Sequence, residues 1–288
     1  MNQALQEMIG LLDLEQIDDN TFRGQSRDIG TPQIFGGQVL GQALAAAHRT
    51  VSGRSAHSMH AYFLRPGAVD EPVVYQVDRA RDGATFSSRR VVAVQRGVQI
   101  FNMAASFQVP ETGLEHQAPM PEVTPPDALQ DLQELARERG AAVPARVTRF
   151  LTHRRPFSVK PVVSAHFLAT TAMEPVKRVW MKAVERLPDD ELLHLVLFAY
   201  ISDYELIGTA MLPHGLHTGR EGVQMASLDH AIWFHRPLRV DEWLLFDLDS
   251  PTAVGARGLS RGHVFTQDGR LVASLAQEGL IRVRSERA

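Results

Sequence analysis

The sequence predicts an α+β fold in which an antiparallel sheet wraps around a long central helix, and this unit occurs twice along the chain. Three observations lead to this prediction. The chain repeats itself at a nearly fixed offset, each copy contains one long apolar helix, and short strands follow each helix. With 288 residues, the chain is long enough for two domains of ordinary size.

The internal repeat is clearest in two strand-like segments. EPVVYQVD at positions 71–78 has the same apolar pattern as EWLLFDLD at 242–249, which lies 171 positions further along. At the same offset FLRP, starting at Phe63, corresponds to FHRP, starting at Phe234. Because a chance match of one short segment would not extend to its neighbours, the repeat indicates a duplicated domain.

A proline-rich stretch separates the two copies. Prolines occur at positions 119, 121, 125 and 126, and a polar helical segment follows at 127–139. This composition is typical of a linker. We therefore expect a first domain at residues 1–110, a linker at 111–146 and a second domain at 147–288.

Each copy contains a helix that the rest of its domain is expected to enclose. The segment 36–47 has no charged residue on any face, and its small residues would allow close contact with a sheet. In the second copy, Asp189, Asp190 and Glu191 provide an acidic helix start, and an almost entirely apolar segment follows from Leu192.

The strands that follow each helix are expected to pair antiparallel. Arg96-Gly97 and Asp268-Gly269 are typical tight turns between strand-like runs, and such hairpins join antiparallel neighbours. A helix followed by four strands in antiparallel series, present twice, predicts a tandem double hotdog: two antiparallel sheets, each wrapped around a long central helix.

Composition excludes several classes of function. The formal net charge of −3 gives no basic surface for nucleic acid, and the absence of cysteine excludes thiolate metal sites and a cysteine nucleophile. The longest apolar run, at 192–201, is far shorter than the roughly 20 residues that cross a bilayer. The apolar spacing of residues 1–20 predicts a docked helix, so we expect a cytoplasmic protein without membrane insertion.

Asp203 is the first candidate for a catalytic residue. It follows eight largely apolar residues of the second central helix, whereas the corresponding helix of the first copy contains no acid. Ionised carboxylates are rarely buried unless they are paired or functional. The alternative is that Asp203 caps a break in the helix, because Gly208 and Pro213 follow closely and leave the end of the helix undefined by the sequence.

Two further polar residues lie on strands. Gln277 interrupts an apolar face formed by every second residue of 271–281, although a core amide satisfied by backbone groups would have the same pattern. Ser227 lies in the segment 225–235, where neither face is cleanly apolar, so the pattern does not show whether its hydroxyl points inward.

Four segments together resemble the acyl-CoA thioesterase II family. They are FGGQV at 35–39, HSMHAYFLRPG at 57–67, DH and WFHRP between 229 and 237, and AQEG at 276–279. The resemblance covers essentially the whole chain, and the occurrence of several long motifs in the right order makes it more specific than any one motif. It implies a double-hotdog enzyme that hydrolyses acyl-CoA thioesters.

The resemblance also implies the residues of the site. Members of the family hold the attacking water with an aspartate, a threonine or serine, and a glutamine, which correspond here to Asp203, Ser227 and Gln277. Asp203 would accept the proton of the water or, alternatively, attack the thioester directly to form an anhydride. The resemblance further implies a homo-oligomer, a dimer or tetramer.

No cofactor is expected. His57 and His60 are three residues apart on a predicted strand, so they point to opposite faces and do not form a joint metal site. There is no Gly-x-x-x-x-Gly-Lys phosphate loop. Two alternatives remain open, a hotdog enoyl-CoA hydratase or dehydratase and a non-catalytic acyl-CoA-binding protein. Release of a free thiol from acyl-CoA separates the thioesterase from both.

Overall fold

The computed structural model describes residues 2–152 and 156–284. The α-helices in these residues are α1 (Gln3–Leu12), α2 (Gly36–His48), α3 (Leu132–Arg139), α4 (Ala145–Thr152), α5 (Glu191–Ile201) and α6 (Leu206–Met211). The strands are β1 (Glu15–Gln16), β2 (Thr21–Gly24), β3 (Ser55–Phe63), β4 (Val73–Asp82), β5 (Phe86–Gln95), β6 (Val98–Gln108), β7 (Phe157–Pro161), β8 (Val176–Ala183), β9 (Val223–Ser227), β10 (Asp229–Phe234), β11 (Leu244–Val254), β12 (Arg257–Thr266) and β13 (Leu271–Val283).

The strands of the described residues form one antiparallel sheet. Its order is β1-β2-β4-β5-β6-β3-β10-β13-β12-β11-β8-β7, with β9 beside β13. The order of the first half recurs in reverse in the second half, as two copies related by a two-fold axis require. The double-hotdog prediction is confirmed, with one refinement. The two predicted sheets are joined at the β3–β10 pair, which covers two edges that would otherwise expose unpaired backbone groups.

The helices α2 and α5 lie side by side inside the sheet. A β-carbon at Gly37 would lie 2.0 Å from the carbonyl oxygen of Tyr200, and one at Gly41 would lie 2.9 Å from that of Val196. The small residues of α2 therefore permit contact with the other central helix, whereas the sequence suggested contact with the sheet. Backbones approach this closely only where no side chain intervenes.

The apolar core is shared between the two halves. Its largest cluster includes Leu40 of α2 and Phe101 of β6 together with Phe198 of α5 and Phe246 of β11. The predicted N-terminal helix is present as α1, and its Leu5 is buried in the same cluster. Neither half closes its core alone, because each central helix has one face against the other helix.

The predicted hairpin turns are present. Arg96 and Gly97 both have a positive φ, 52° and 74°, between β5 and β6. Gly269 has a φ of 90° between β12 and β13. The two-residue turn at Arg96-Gly97 needs a positive φ at both residues, whereas the longer turn between Thr266 and Arg270 needs one at Gly269. Both dipeptides therefore predicted their turns correctly.

The linker region packs against the second half of the molecule. The indole N–H of Trp180 donates to the carbonyl of Thr124 at 3.0 Å, and the Gln117 side chain bonds to the backbone of Gly269 and Leu271. Helices α3 and α4 come next in the chain. They pack against each other, and α3 also contacts β7. The linker is therefore an integral part of the folded molecule.

Among the residues that the structure describes, one helical segment, Glu191–His214, is long and apolar enough to cross a membrane by length and composition alone. In the structure, 83% of its most apolar window is buried inside the protein. This burial is the pattern of a core helix, and it is consistent with the position of α5 beside α2.

Candidate active site

Asp203 lies in the turn between α5 and α6. The sequence left two possibilities for this segment, a continuous helix or a break at Asp203, and the break is present because α5 ends at Ile201. The hydroxyl of Ser202 bonds to the carbonyl of Ala199 at 2.9 Å, a local contact that competes with continuation of a helix. The carboxylate of Asp203 is directed from this turn towards β9 and β13.

The structure brings the three predicted site residues together. The hydroxyl of Ser227, at the end of β9, donates to Asp203 Oδ1 at 3.1 Å. The side-chain amide of Gln277, in β13, donates to the same oxygen at 2.5 Å. Gln277 is almost completely buried and points inward, as its position on the apolar face predicted. Ser227, whose orientation the sequence left open, also points inward.

Strands β9 and β10 form one bulged strand. The sequence predicted an uninterrupted strand at 225–235, but the pairing with β13 shifts by one residue within it. Ser227 pairs with Gly279, whereas Ala231 pairs with Ala276. Such bulges redirect side chains and are frequent next to active sites. Here the bulge ends β9 at the residue that contacts the carboxylate.

Hydrogen bonds on both sides hold the bulge in place. The carbonyl of Leu228, the residue between β9 and β10, accepts the N–H of Phe63 at 2.9 Å. The Asp229 side chain accepts the N–H of Glu278 at 2.7 Å, next to Gln277. The strand that carries Ser227 and the strand that carries Gln277 are thereby tied together beside Asp203.

The first half of the molecule contributes a backbone group to the site. The N–H of Gly37, in the first turn of α2, donates to the Asp203 carboxylate. A β-carbon at Gly36 would lie 2.6 Å from Asp203 Oδ2, so the glycine pair leaves the space that the carboxylate needs. A helix N-terminus also favours a negative charge. Sequence patterns give no sign of this contact, because it joins residues from the two halves of the chain.

Burial raises the pKa of Asp203 from 3.8 to about 6. Hydrogen bonds from Gln277, Ser227 and the Gly37 N–H oppose the rise, because each stabilises the ionised form. The carboxylate is therefore mainly ionised at neutral pH and is also more basic than an exposed aspartate. These are the properties of a general base that works near neutrality.

An apolar cavity of about 230 Å³ opens at Asp203. Its apolar walls come from three parts of the chain: the segment before α2, the helices α3 and α4, and the region after α4. Representative wall residues are Phe35, Leu132 in α3, Phe150 in α4, Val159 in β7 and Phe167. The sequence predicted a connecting role for the linker and missed that its helix α3 forms part of the cavity.

A charged pair lies in the same cavity. Lys177 in β8 bonds to Glu205, two residues after Asp203, and His166 lies beside them. Burial lowers the pKa of His166, and the charge of Lys177 lowers it further, while Glu205 acts in the opposite direction. These groups give the cavity a polar side in an otherwise apolar lining.

Within the described residues, no group of three or more His, Cys, Asp or Glu side chains is arranged to hold a metal ion. His57 bonds to Ser106 at 2.8 Å, whereas the ring of His60 packs edge-on against Trp233, so the two histidines have separate partners. Arg261 forms an ion pair with Asp249 at 3.0 Å.

Comparison with known proteins gives consistent matches over both halves. The family model for acyl-CoA thioesterase matches residues 147–280, and that for the acyl-CoA thioesterase N-terminal domain matches residues 24–108. Acyl-CoA thioesterase 2 of Haemophilus influenzae is 41% identical over 98% of this chain and 99% of its own. Human acyl-coenzyme A thioesterase 8 is 40% identical over 96% of this chain and 89% of its own.

Solved structures agree with these relatives. The crystal structure of acyl-CoA thioesterase II TesB2 from Mycobacterium marinum superposes with a TM-score of 0.80 at 42% identity, covering 96% of this chain and 99% of that one. A hot dog fold protein of unknown function from Alicyclobacillus acidocaldarius has a TM-score of 0.77 at 19% identity, with 97% and 99% covered, which supports the fold alone.

The fold and its relatives define a hotdog-fold thioester hydrolase. More narrowly, the chain belongs to the acyl-CoA thioesterase II family, and it hydrolyses fatty acyl-CoA to the free acid and CoA. The predicted family, enzyme class and reaction are confirmed. The hydratase alternative would need a histidine partner for the acid, whereas the side chains that donate to the Asp203 carboxylate in the described residues are a hydroxyl and an amide.

Proposed function

We propose that Asp203 is the general base of acyl-CoA hydrolysis, with Ser227 and Gln277 as the residues that orient it and the attacking water. The observation that supports this most directly is the convergence of a serine hydroxyl, a glutamine amide and a helix N-terminus on one carboxylate beside an apolar cavity. In this reading the acyl chain of the substrate occupies the cavity.

The two carboxylate oxygens have different roles in this proposal. Oδ1 accepts both side-chain hydrogen bonds, from Ser227 and Gln277, whereas Oδ2 faces Gly36. Oδ2 then has a lone pair available to accept a proton from water. The Ser227 oxygen, which donates its own hydrogen to Asp203, keeps its lone pairs and can accept the second hydrogen of that water.

The reaction then proceeds in two proton-balanced steps. Asp203 removes a proton from water as the water oxygen bonds to the thioester carbonyl carbon, which gives a tetrahedral oxyanion. The oxyanion collapses and the carbon–sulfur bond breaks, so the acid is released and the CoA thiolate takes up the proton held by Asp203. In the alternative route, Oδ2 attacks the thioester directly, which forms an anhydride and releases the CoA thiolate before water hydrolyses the anhydride.

Replacement of Asp203 by asparagine tests the proposal. We expect kcat for acyl-CoA hydrolysis to fall about 100-fold to 10,000-fold, the range for loss of a general base, when free thiol release is measured. Binding of acyl-CoA should persist, because the cavity is unchanged. Asp249→Asn, which alters an exposed ion pair with Arg261, is the matched control and should leave kcat unchanged. An Asp203→Asn enzyme that keeps more than about a tenth of kcat would contradict the proposal.

The same variant should not be less stable than the wild type. The folded-state pKa of Asp203 is raised, so its ionisation opposes folding once the pH exceeds the unfolded value of 3.8. Removing this charge should therefore raise Tm at pH 7 relative to the wild type and have little effect near pH 4. The gain at pH 7 is at most about 3 kcal/mol, because the pKa is raised by roughly two units.

We also propose a homo-oligomer, a dimer or tetramer. Tyr62 and Trp233 are 59% and 38% exposed on the outer face at the β3–β10 seam, where aromatic residues favour a protein contact. Light scattering should give a mass that is a multiple of the 32.0 kDa chain. A mass near that of one chain at working concentration would contradict this.

The cytoplasmic location and the domain limits 1–110, 111–146 and 147–288 also remain proposals.

A further inference from the structure

Ser202 and His230 form a buried contact directly behind the candidate base. The hydroxyl of Ser202 lies 2.8 Å from Nε2 of His230 and 2.9 Å from the carbonyl of Ala199. The two residues are 2% and 1% exposed. Ser202 precedes Asp203 in the chain, and His230 follows Ser227 by three positions across the bulge.

The surroundings of the His230 ring define which residue is the donor in this hydrogen bond. Nδ1 of His230 is buried and has no hydrogen-bond partner among the described residues. An unpaired buried N–H costs more than an unpaired lone pair, so the proton lies on Nε2. His230 therefore donates to the Ser202 oxygen, and Ser202 donates to the carbonyl of Ala199. Burial lowers the pKa of His230 to about 3, so the ring stays neutral throughout the working range.

This arrangement ties two adjacent residues of the turn to two residues of the bulged strand. Asp203 accepts from Ser227, and Ser202 accepts from His230. Asp203 is also held by Gln277, and the N–H of Ser202 bonds to the carbonyl of Phe198 at 2.9 Å. The contact between Ser202 and His230 therefore adds a second attachment of this turn to the bulged strand, beside the one through Ser227.

We infer that His230 is a positioning residue: through Ser202 it fixes the turn that carries Asp203 against the strand that carries Ser227. This inference rests on the proposed role of Asp203 as the base. His230 itself does not contact the carboxylate and takes no proton in the reaction. Its effect is geometric, and a small displacement of a catalytic group is enough to slow an enzyme substantially.

The test compares His230→Ala, His230→Gln and Ser202→Ala for kcat, KM and the pH dependence of kcat. We expect His230→Ala and Ser202→Ala each to lower kcat about 10-fold to 100-fold with little change in KM. The acid limb of kcat should move to higher pH, because a displaced carboxylate loses part of its stabilisation from Ser227 and Gln277. His230→Gln, whose amide can reach Ser202 from a similar position, should recover most of kcat.

His194 provides a matched control. It is also a buried histidine, 3% exposed, but it lies near the opposite end of α5 and accepts the N–H of Val240. We expect His194→Ala to lower Tm while leaving the acid limb in place. A shift of the acid limb in this control as large as that in His230→Ala would overturn the inference, because the effect would then follow from general destabilisation.

The double variant shows whether the two residues act through one contact. If they do, Ser202→Ala in the His230→Ala background should lower kcat by less than about 3-fold further. Full additivity, or a folded His230→Ala enzyme with kcat within about 2-fold of wild type, would overturn the inference. Should His230→Ala fail to fold, Ser202→Ala tests the same contact from its other side. An active Asp203→Asn enzyme would instead refute the proposed function, so the two failures are distinguishable.

Discussion

The environment of Asp203 combines two opposing effects on one carboxyl group. Burial favours the protonated form, while Gln277, Ser227 and the Gly37 N–H favour the ionised form. A fully solvated aspartate would be a weak base, and a buried aspartate without donors would stay protonated at neutral pH. The observed balance, with a pKa of about 6, gives a group that is both ionised and basic.

The rate of hydrolysis should therefore decline in acid. The base must be deprotonated, so kcat should fall as the pH drops through about 6 in the wild type. Ser227→Ala removes a donor to the ionised form, which raises the pKa of Asp203 and moves the acid limb to higher pH. Thiol release between pH 4.5 and 8.5 checks both statements. An unchanged acid limb in Ser227→Ala would show that this hydrogen bond does not act on the titrating group.

Among the secondary-structure elements, the contact between α2 and α5 matters most for the site. It brings the N-terminus of α2 to the turn after α5, and it depends on Gly37, which leaves room for the carbonyl of Tyr200. Aromatic rings surround this point: Phe35 lies 5.0 Å from Tyr200 and 5.1 Å from Tyr204, between ring centres. The same contact thus packs the two helices together and places the Gly37 N–H beside Asp203.

Gly37→Ala should disrupt this feature. The new β-carbon would lie 2.0 Å from a backbone oxygen, which cannot rotate away, so we expect a loss of about 1–3 kcal/mol in stability and a lower kcat. Gly10→Ala is the control, because Gly10 is an exposed residue within α1 with no atom within 4 Å of the new methyl group. It should stabilise the protein by about 0.5–1 kcal/mol. Thermal unfolding of both variants measures the difference, and equal Tm values would contradict the assigned contact.

For the whole molecule, the duplication creates a site to which both halves contribute. Asp203, Ser227 and Gln277 come from the second half, but the amide of Gly37 comes from the first. The halves are held together by the β3–β10 pairing, by the contact between α2 and α5 and by a shared core. The covalent connection through the linker is therefore not what maintains the assembly.

A cut in the first part of the linker should be tolerated for this reason. Leu114 is fully exposed, so a protease site inserted there can be cleaved in the folded enzyme. We expect the cleaved protein to remain one particle in size-exclusion chromatography and to keep most of its thioesterase activity. The control is the same insertion at Leu135, which is buried in α3, and it should lower activity even before cleavage. Separation of the fragments after cleavage at 114 would refute this account of the interface.

The sequence by itself determined the features that depend on local order. The hairpin turns at Arg96-Gly97 and at Gly269, the apolar helix α2 and the acidic start of α5 follow from residue types and spacing, because backbone angles and periodic burial are local constraints. The inward position of Gln277 followed from the two-residue period of its strand.

Tertiary structure alone decided how these parts meet. The bulge after Ser227, the joining of the two sheets and the Gly37 amide all depend on contacts between distant segments. Helices α3 and α4 form cavity walls for the same reason. A periodic pattern shows which face of an element is buried, but it contains no information about the partner that covers that face, and the partner is what places a donor beside a carboxylate.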